Sequence, residues 1–224
     1  MTDEYLTDDE QLERAKQLAR EYGPWTVGAI VIGLGLAYGW RHYQAHQDQV
    51  AVNASAQFAD MSSAVQANDG AKARQIAAGL IKDYPGSPYA DQAQLTLARL
   101  AIEEGQGAAA AGPLTEVMEK SKDAELRHIA RLRLARVQID QGKPDDALKT
   151  LSGAPGSFDA SYHEVRGDAY YAKHDPAKAA EEYRAALAGG GAAGGMNSAL
   201  LALKIADLGV LPKTTSDSPN KAKP

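Results

Sequence analysis

No cysteine occurs in the 224 residues, which removes disulfides, thiolate nucleophiles, thiolate metal sites and a lipid anchor on an N-terminal cysteine together. Aromatic residues make up only 6% of the chain, and consecutive β-branched residues are rarer still, so there is little from which to build sheets. No stretch combines clustered lysine and arginine with aromatics, and the net charge is −5; the sequence carries no electrostatic footprint for nucleic acid. What is present is an apolar fraction of 44% rich in alanine, a composition suited to helices packed through small side chains. The expected fold class is all-α, with room for an anchor and one domain.

Long apolar runs are also scarce, and one segment stands out. Residues 24–40 carry no charge, and at about 1.5 Å of rise per residue a helix of that length nearly spans a ~30 Å hydrocarbon core. Trp25 at one end and Tyr38, Trp40 and Tyr43 at the other set amphipathic rings at headgroup level, and Arg41 can snorkel outward. The preceding tail is acidic (Asp3, Glu4, Asp8, Asp9, Glu10, Glu13, Glu21), unlike the basic start of a cleaved signal peptide, so a retained single transmembrane helix is expected. Arg14, Lys16 and Arg20 precede it and only Arg41 follows closely, which favours a cytoplasmic N-terminus. Leu12, Ala15, Leu18 and Ala19 give residues 8–22 a short amphipathic helix. Gly35 and Gly39 form a GxxxG that can bring two helices together, a possible homodimer contact. The expected domains are a cytoplasmic tail over 1–23, the span over 24–40, a repeat domain over 41–211 and a disordered polar tail over 212–224.

Self-comparison supplies the most specific signal. The run beginning at Leu97 is echoed 37 residues later at Leu134. A third copy follows after 32 residues, with Gly167, Tyr170, Ala179, Tyr183 and Ala186 where the second has Ala135, Gln138, Ala147, Leu151 and Ala154. This is the spacing of tetratricopeptide (TPR) helical hairpins. Small residues (Ala98, Ala135, Gly167; Ala110, Ala147, Ala179) let antiparallel helices approach, and larger ones (Leu114, Leu151, Tyr183) fill between hairpins. Turns at 141–144 and 174–176 separate the two helices of a unit. A weaker unit over 50–84, with a turn at 68–70, brings the expected number of hairpins to four. After the glycine-rich loop 189–195, a helix over 197–208 with Leu200, Leu201, Leu203, Ile205 and Leu208 is expected to cap the stack. Gly112 and Pro113 fall inside an expected helix, so that helix is expected to begin at Pro113 or break there.

No chemistry is legible. His42 and His46 share a helical i, i+4 spacing without a third ligand, and they fall in the headgroup region. His128, His163 and His174 are isolated, the acidic pairs Glu103 with Glu104, Asp145 with Asp146 and Glu181 with Glu182 read as solvated charges, and no phosphate loop occurs. Neither a catalytic residue, a cofactor nor a metal is expected, which leaves a surface. In TPR-like hairpins the inner, concave face maps to Gln92, Leu95, Arg99 and Ile102, then Ile129, Leu132, Arg136 and Ile139, then Ser161, Glu164, Asp168 and Tyr171. Its mixture of apolar and charged groups suits a bound protein segment, although the apolar members are equally placed to pack between hairpins.

Gly39, Trp40, Arg41 and Tyr43, the run 132–138, the run 145–151 and Arg166 to Asp168, together with the acidic N-terminus, resemble the ancillary SecYEG translocon subunits, the YfgM-like family. That resemblance implies an inner-membrane protein with a cytoplasmic N-terminus. It also implies a periplasmic TPR-like domain that associates with the Sec translocon and a membrane-anchored peptidyl-prolyl isomerase, contributing to periplasmic chaperone traffic. Residues 84–90 also look like inter-repeat turns of TPR lipoproteins in outer-membrane assembly. The competing readings are a self-associating membrane scaffold, and a membrane-bound enzyme, which needs a convergent titratable cluster in a pocket.

Overall fold

Turn residues cut the alanine-rich sequence into helices at predictable places. The computed structural model describes residues 8–189 and 198–209. Among these there are nine α-helices: α1 (Asp8–Gln66), α2 (Gly70–Asp83), α3 (Pro88–Glu103), α4 (Gly107–Lys120), α5 (Ala124–Asp140), α6 (Pro144–Thr150), α7 (Asp159–Ala172), α8 (Pro176–Gly189) and α9 (Ser198–Asp207). A single 3₁₀ turn, Gly156–Phe158, precedes α7. The starts follow cap chemistry. Asp69 accepts from the Lys72 N–H, Ser87 from Ala90 ahead of a first-turn proline, and Asp123 from both Glu125 and Leu126. The ends of α1, α3, α5 and α7 share one device, a residue in the left-handed region: Asn68, Gly105, Gly142 and His174.

The chain divides into two units, Met1–Asn53 and Ala54–Pro224. In the second, the end of α1 with α2, then α3 with α4, α5 with α6 and α7 with α8 form four helical hairpins, and α9 packs on α8. The core is a series of clusters, each joining a hairpin to the helix after it. Ala54, Met61, Ala77 and Leu80 meet Ala93 and Leu100 of α3. Ala98, Leu114 and Val117 meet Leu126 and Leu134 of α5, and Ala135, Ala147 and Leu151 meet Tyr162 and Val165 of α7. Tyr183 and Ala186 meet Leu201 of α9. Stability is therefore distributed along the stack as nearest-neighbour interfaces.

Three expectations change. The second helix of its hairpin neither begins nor stops at Pro113: α4 starts at Gly107 and runs through it. Proline at this position removes a hydrogen bond to the carbonyl of Ala109, an exposed residue, while Ala110, Leu114 and Val117 are fully buried. Ala154, matched by the repeat to helical Ala186, lies outside any helix, because α6 ends at Thr150. The proline at 155 further disfavours helical geometry at Ala154, since a residue preceding proline is pushed out of the α region. In α9, Leu201 is buried, and Ile205 and, just after the helix, Leu208 pack beside it, but Leu200 and Leu203 are exposed. The glycine-rich loop from 190, Asn197 and the tail 212–224 lie outside the described residues.

Among the described residues no helix is long and apolar enough to cross a membrane. Residues 24–40 are helical within α1. Among the side chains described there, Trp25, Val31, Leu36, Tyr38 and Trp40 are each more than half exposed.

Candidate protein-binding face

Along α3, α5 and α7 the positions turned away from the core carry charge in a defined order. Arg99 sits on α3, Arg133 and Arg136 on α5, Glu164 and Asp168 on α7, and Lys204 on α9. The repeat places Arg99, Arg136 and Asp168 at matching positions, so the sign changes between the second and third members. Arg99 Nε lies 3.2 Å from Glu103, one turn along its own helix. Arg136 Nη2 approaches Glu164 Oε2 at 3.8 Å.

The acidic end is closed by its own partners. Lys204 Nζ donates to Asp168 Oδ1 at 2.7 Å and Glu164 Oε1 at 3.3 Å, and it lies 5.2 Å from the centre of the Tyr183 ring. Tyr183 donates its hydroxyl to Asp168 at 2.7 Å. Burial, and then the Asp168 carboxylate, push the Tyr183 phenol far above its ordinary value, so it keeps the proton it donates to Asp168. This charged knot fastens α9 to the last hairpin alongside the apolar contacts of Leu201.

The basic end is different. Arg133 is exposed, and burial of part of its side chain, then Arg136, then Arg99, lower its pKa. Arg133 thus lies within the fields of Arg136 and Arg99. One turn along, a cleft of about 360 Å³ is lined by Ile102, Gly105, Gly107, Ala108, Val137, Asp140 and Gln141. The Gln141 Nε2, shielded from water, has no hydrogen-bond partner.

The expected face residues therefore divide. Leu95 and Leu132 are each 5% exposed and belong to the core. Ile129 and Ile139 pack against it, while Gln92 and Ser161 are half-buried. Arg99, Ile102, Arg136 and Tyr171 are exposed, and Glu164 and Asp168 are half-buried in the knot with Lys204. Sequence reading passed over Arg133, Gln141 and Lys204. Arg133 was accessible from its i, i+3 spacing to Arg136, which puts both on one helical face; Lys204 and Gln141 had no such signal. At the expected membrane interface Trp25, Tyr38, Trp40 and Arg41 are exposed, and the Gly35 and Gly39 positions face open space. No group of three potential metal ligands occurs among the described residues.

Comparison with known proteins agrees with this architecture. A family model described as a tetratricopeptide repeat-like domain matches residues 16–210. A Haemophilus influenzae protein named ancillary SecYEG translocon subunit is 31% identical over 83% of this chain and 91% of its own length. Proteins of the same name from Escherichia coli and Neisseria gonorrhoeae are 29% and 28% identical, each over 82% of this chain and 88% of their own. No solved structure matches. The chain belongs to the family of ancillary SecYEG translocon subunits and carries its tetratricopeptide repeat-like domain.

Proposed function

We propose that the chain is a non-catalytic adaptor of the Sec translocon, anchored in the inner membrane by residues 24–40, with 1–23 in the cytoplasm and the repeats of 41–211 in the periplasm. The observation that carries this reading is its alignment with curated translocon subunits over 83% of the chain. The anchor is supported by the apolar part of α1, whose exposed side chains cover every face and need a lipid or protein neighbour. Its uncharged stretch runs over 22–40, at the short end of spanning lengths, and Gly28, Gly33, Gly35, Gly39 and Pro24 dilute its hydropathy. Trp25, Tyr38 and Trp40 at its ends fix its depth. Tethering raises the effective concentration of the repeats near the channel, so a modest intrinsic affinity for translocon subunits, a membrane-anchored peptidyl-prolyl isomerase or periplasmic chaperones suffices.

The test is accessibility to a membrane-impermeant thiol reagent in intact cells, in a chain that has no cysteine of its own. Ser152→Cys, at an exposed position after α6, should label; Thr7→Cys should label only after lysis. The reverse pattern puts the repeats in the cytoplasm, and labelling of both means the segment does not span. Failure of the full chain to co-purify with the translocon from detergent overturns the adaptor role.

A second reading, a self-associating scaffold, draws on Gly35 and Gly39, where an added Cβ meets nothing within 4 Å. It requires oligomers that disappear in the Gly35→Leu, Gly39→Leu variant.

A further inference from the structure

We infer that the groove between α3 and α5 binds an extended peptide segment of a partner protein carrying a carboxylate side chain and, two residues further on, an apolar one; this rests on the repeat face being the adaptor's docking surface.

The carboxylate is assigned by charge. Arg99 is held by Glu103 on its own helix, Arg136 reaches Glu164 only at 3.8 Å, and Arg133 has no ion pair or hydrogen bond among the described residues. Of the acids on α7, Glu164 and Asp168 are held by Lys204 and Tyr183. An incoming carboxylate can accept paired N–H bonds from a guanidinium while relieving repulsion among the three arginines.

The apolar residue is assigned by the cleft. Ile102 follows Arg99 by three residues on α3 and Val137 follows Arg133 by four on α5, so the cleft lies about one helical turn, ~5.4 Å, beyond the arginines. In an extended peptide, side chains two residues apart point the same way and are about 6.7 Å apart, close to that step. Ile102 is 44% exposed at the cleft, an apolar surface that a partner side chain can cover. Asp140 also lines the cleft and sets the register, because it disfavours a second carboxylate there.

The experiment uses the full chain in detergent micelles and a fluorescent, end-blocked peptide, Ser-Gly-Asp-Ser-Leu-Ser-Gly. Its counterparts carry Asn in place of Asp or Ser in place of Leu. Each counterpart should bind at least about tenfold more weakly. Arg133→Gln should remove the Asp over Asn preference and Ile102→Ser the Leu preference, both with unchanged thermal unfolding. Equal binding of the acid and amide peptides, or full discrimination in Arg133→Gln, overturns the inference. So does displacement of the peptide by phosphatidylglycerol vesicles without acid over amide discrimination, which assigns the arginines to lipid headgroups. Loss of peptide discrimination while the wild-type chain still co-purifies with the translocon sinks this inference alone; loss of co-purification sinks the adaptor reading.

Discussion

A Cβ added to Gly167 on α7 would lie 2.4 Å from Cε1 of Tyr183 on α8, so the absence of a side chain at one position is what admits the ring at the other. The same two positions in the earlier repeats hold Ala98 with Leu114 and Ala135 with Leu151, and all six residues are buried. The smaller partner shrinks where the larger one grows.

Gly167→Ala should therefore destabilise the last hairpin by about 1–3 kcal/mol, the range for overpacking a well-filled core. Gly167→Ala with Tyr183→Leu restores the pair used elsewhere and should recover part of that loss, though not the Tyr183 hydrogen bond to Asp168. Denaturant midpoints of the two single variants and the double variant complete the cycle; strict additivity would refute the coupling.

His174 occupies the left-handed cap position that glycine holds at 105 and 142, with φ of 60°. Asp175 N–H still closes the cap on the Tyr170 carbonyl at 3.0 Å, matching Lys143 to Gln138 at 2.8 Å. A residue with a Cβ pays about 1–2 kcal/mol there, so His174→Gly should raise the thermal midpoint by a few degrees. An unchanged or lower midpoint would show that the exposed imidazole contributes something the cap geometry does not reveal.

His128 stacks on Phe158 and its Nδ1 lies 2.8 Å from the hydroxyl of fully buried Tyr162. Burial, then Arg131, then Arg127, lower its pKa from 6.5. The unfolded chain consequently binds more protons as the pH falls, so the stabilisation is complete above about 6.5 and is lost as the pH drops through the folded value. The wild-type chain should lose more of its thermal midpoint between about pH 8 and about pH 5 than His128→Gln does. Equal losses would assign acid sensitivity elsewhere.

Ser121 is 5% exposed, donates to Asp91 at 2.6 Å and accepts from the Asp123 N–H at 3.1 Å, tying the start of α3 to the turn between α4 and α5. Removing it strands both partners. Ser121→Ala should cost about 1–3 kcal/mol in chemical denaturation; a loss within error would mean that water replaces the hydroxyl.

The sequence by itself determined the helical class, the four hairpins, their turns and the small and large positions that meet inside them. Those features are local: caps, left-handed turn residues and apolar spacing act within a few residues of chain. The face was legible only in part, as Arg99, Arg136 and Tyr171 are exposed while Leu95 and Leu132 are core. Tertiary structure decided what no local rule could. Packing of Ala110, Leu114 and Val117 carried α4 through Pro113, and Lys204 on α9 closed the acidic end of the face across 36 residues from Asp168. With α9 engaged at that end, Arg133 has no ion pair or hydrogen bond among the described residues. Which charges neutralise each other depends on distances between helices, and those exist only once the stack has formed.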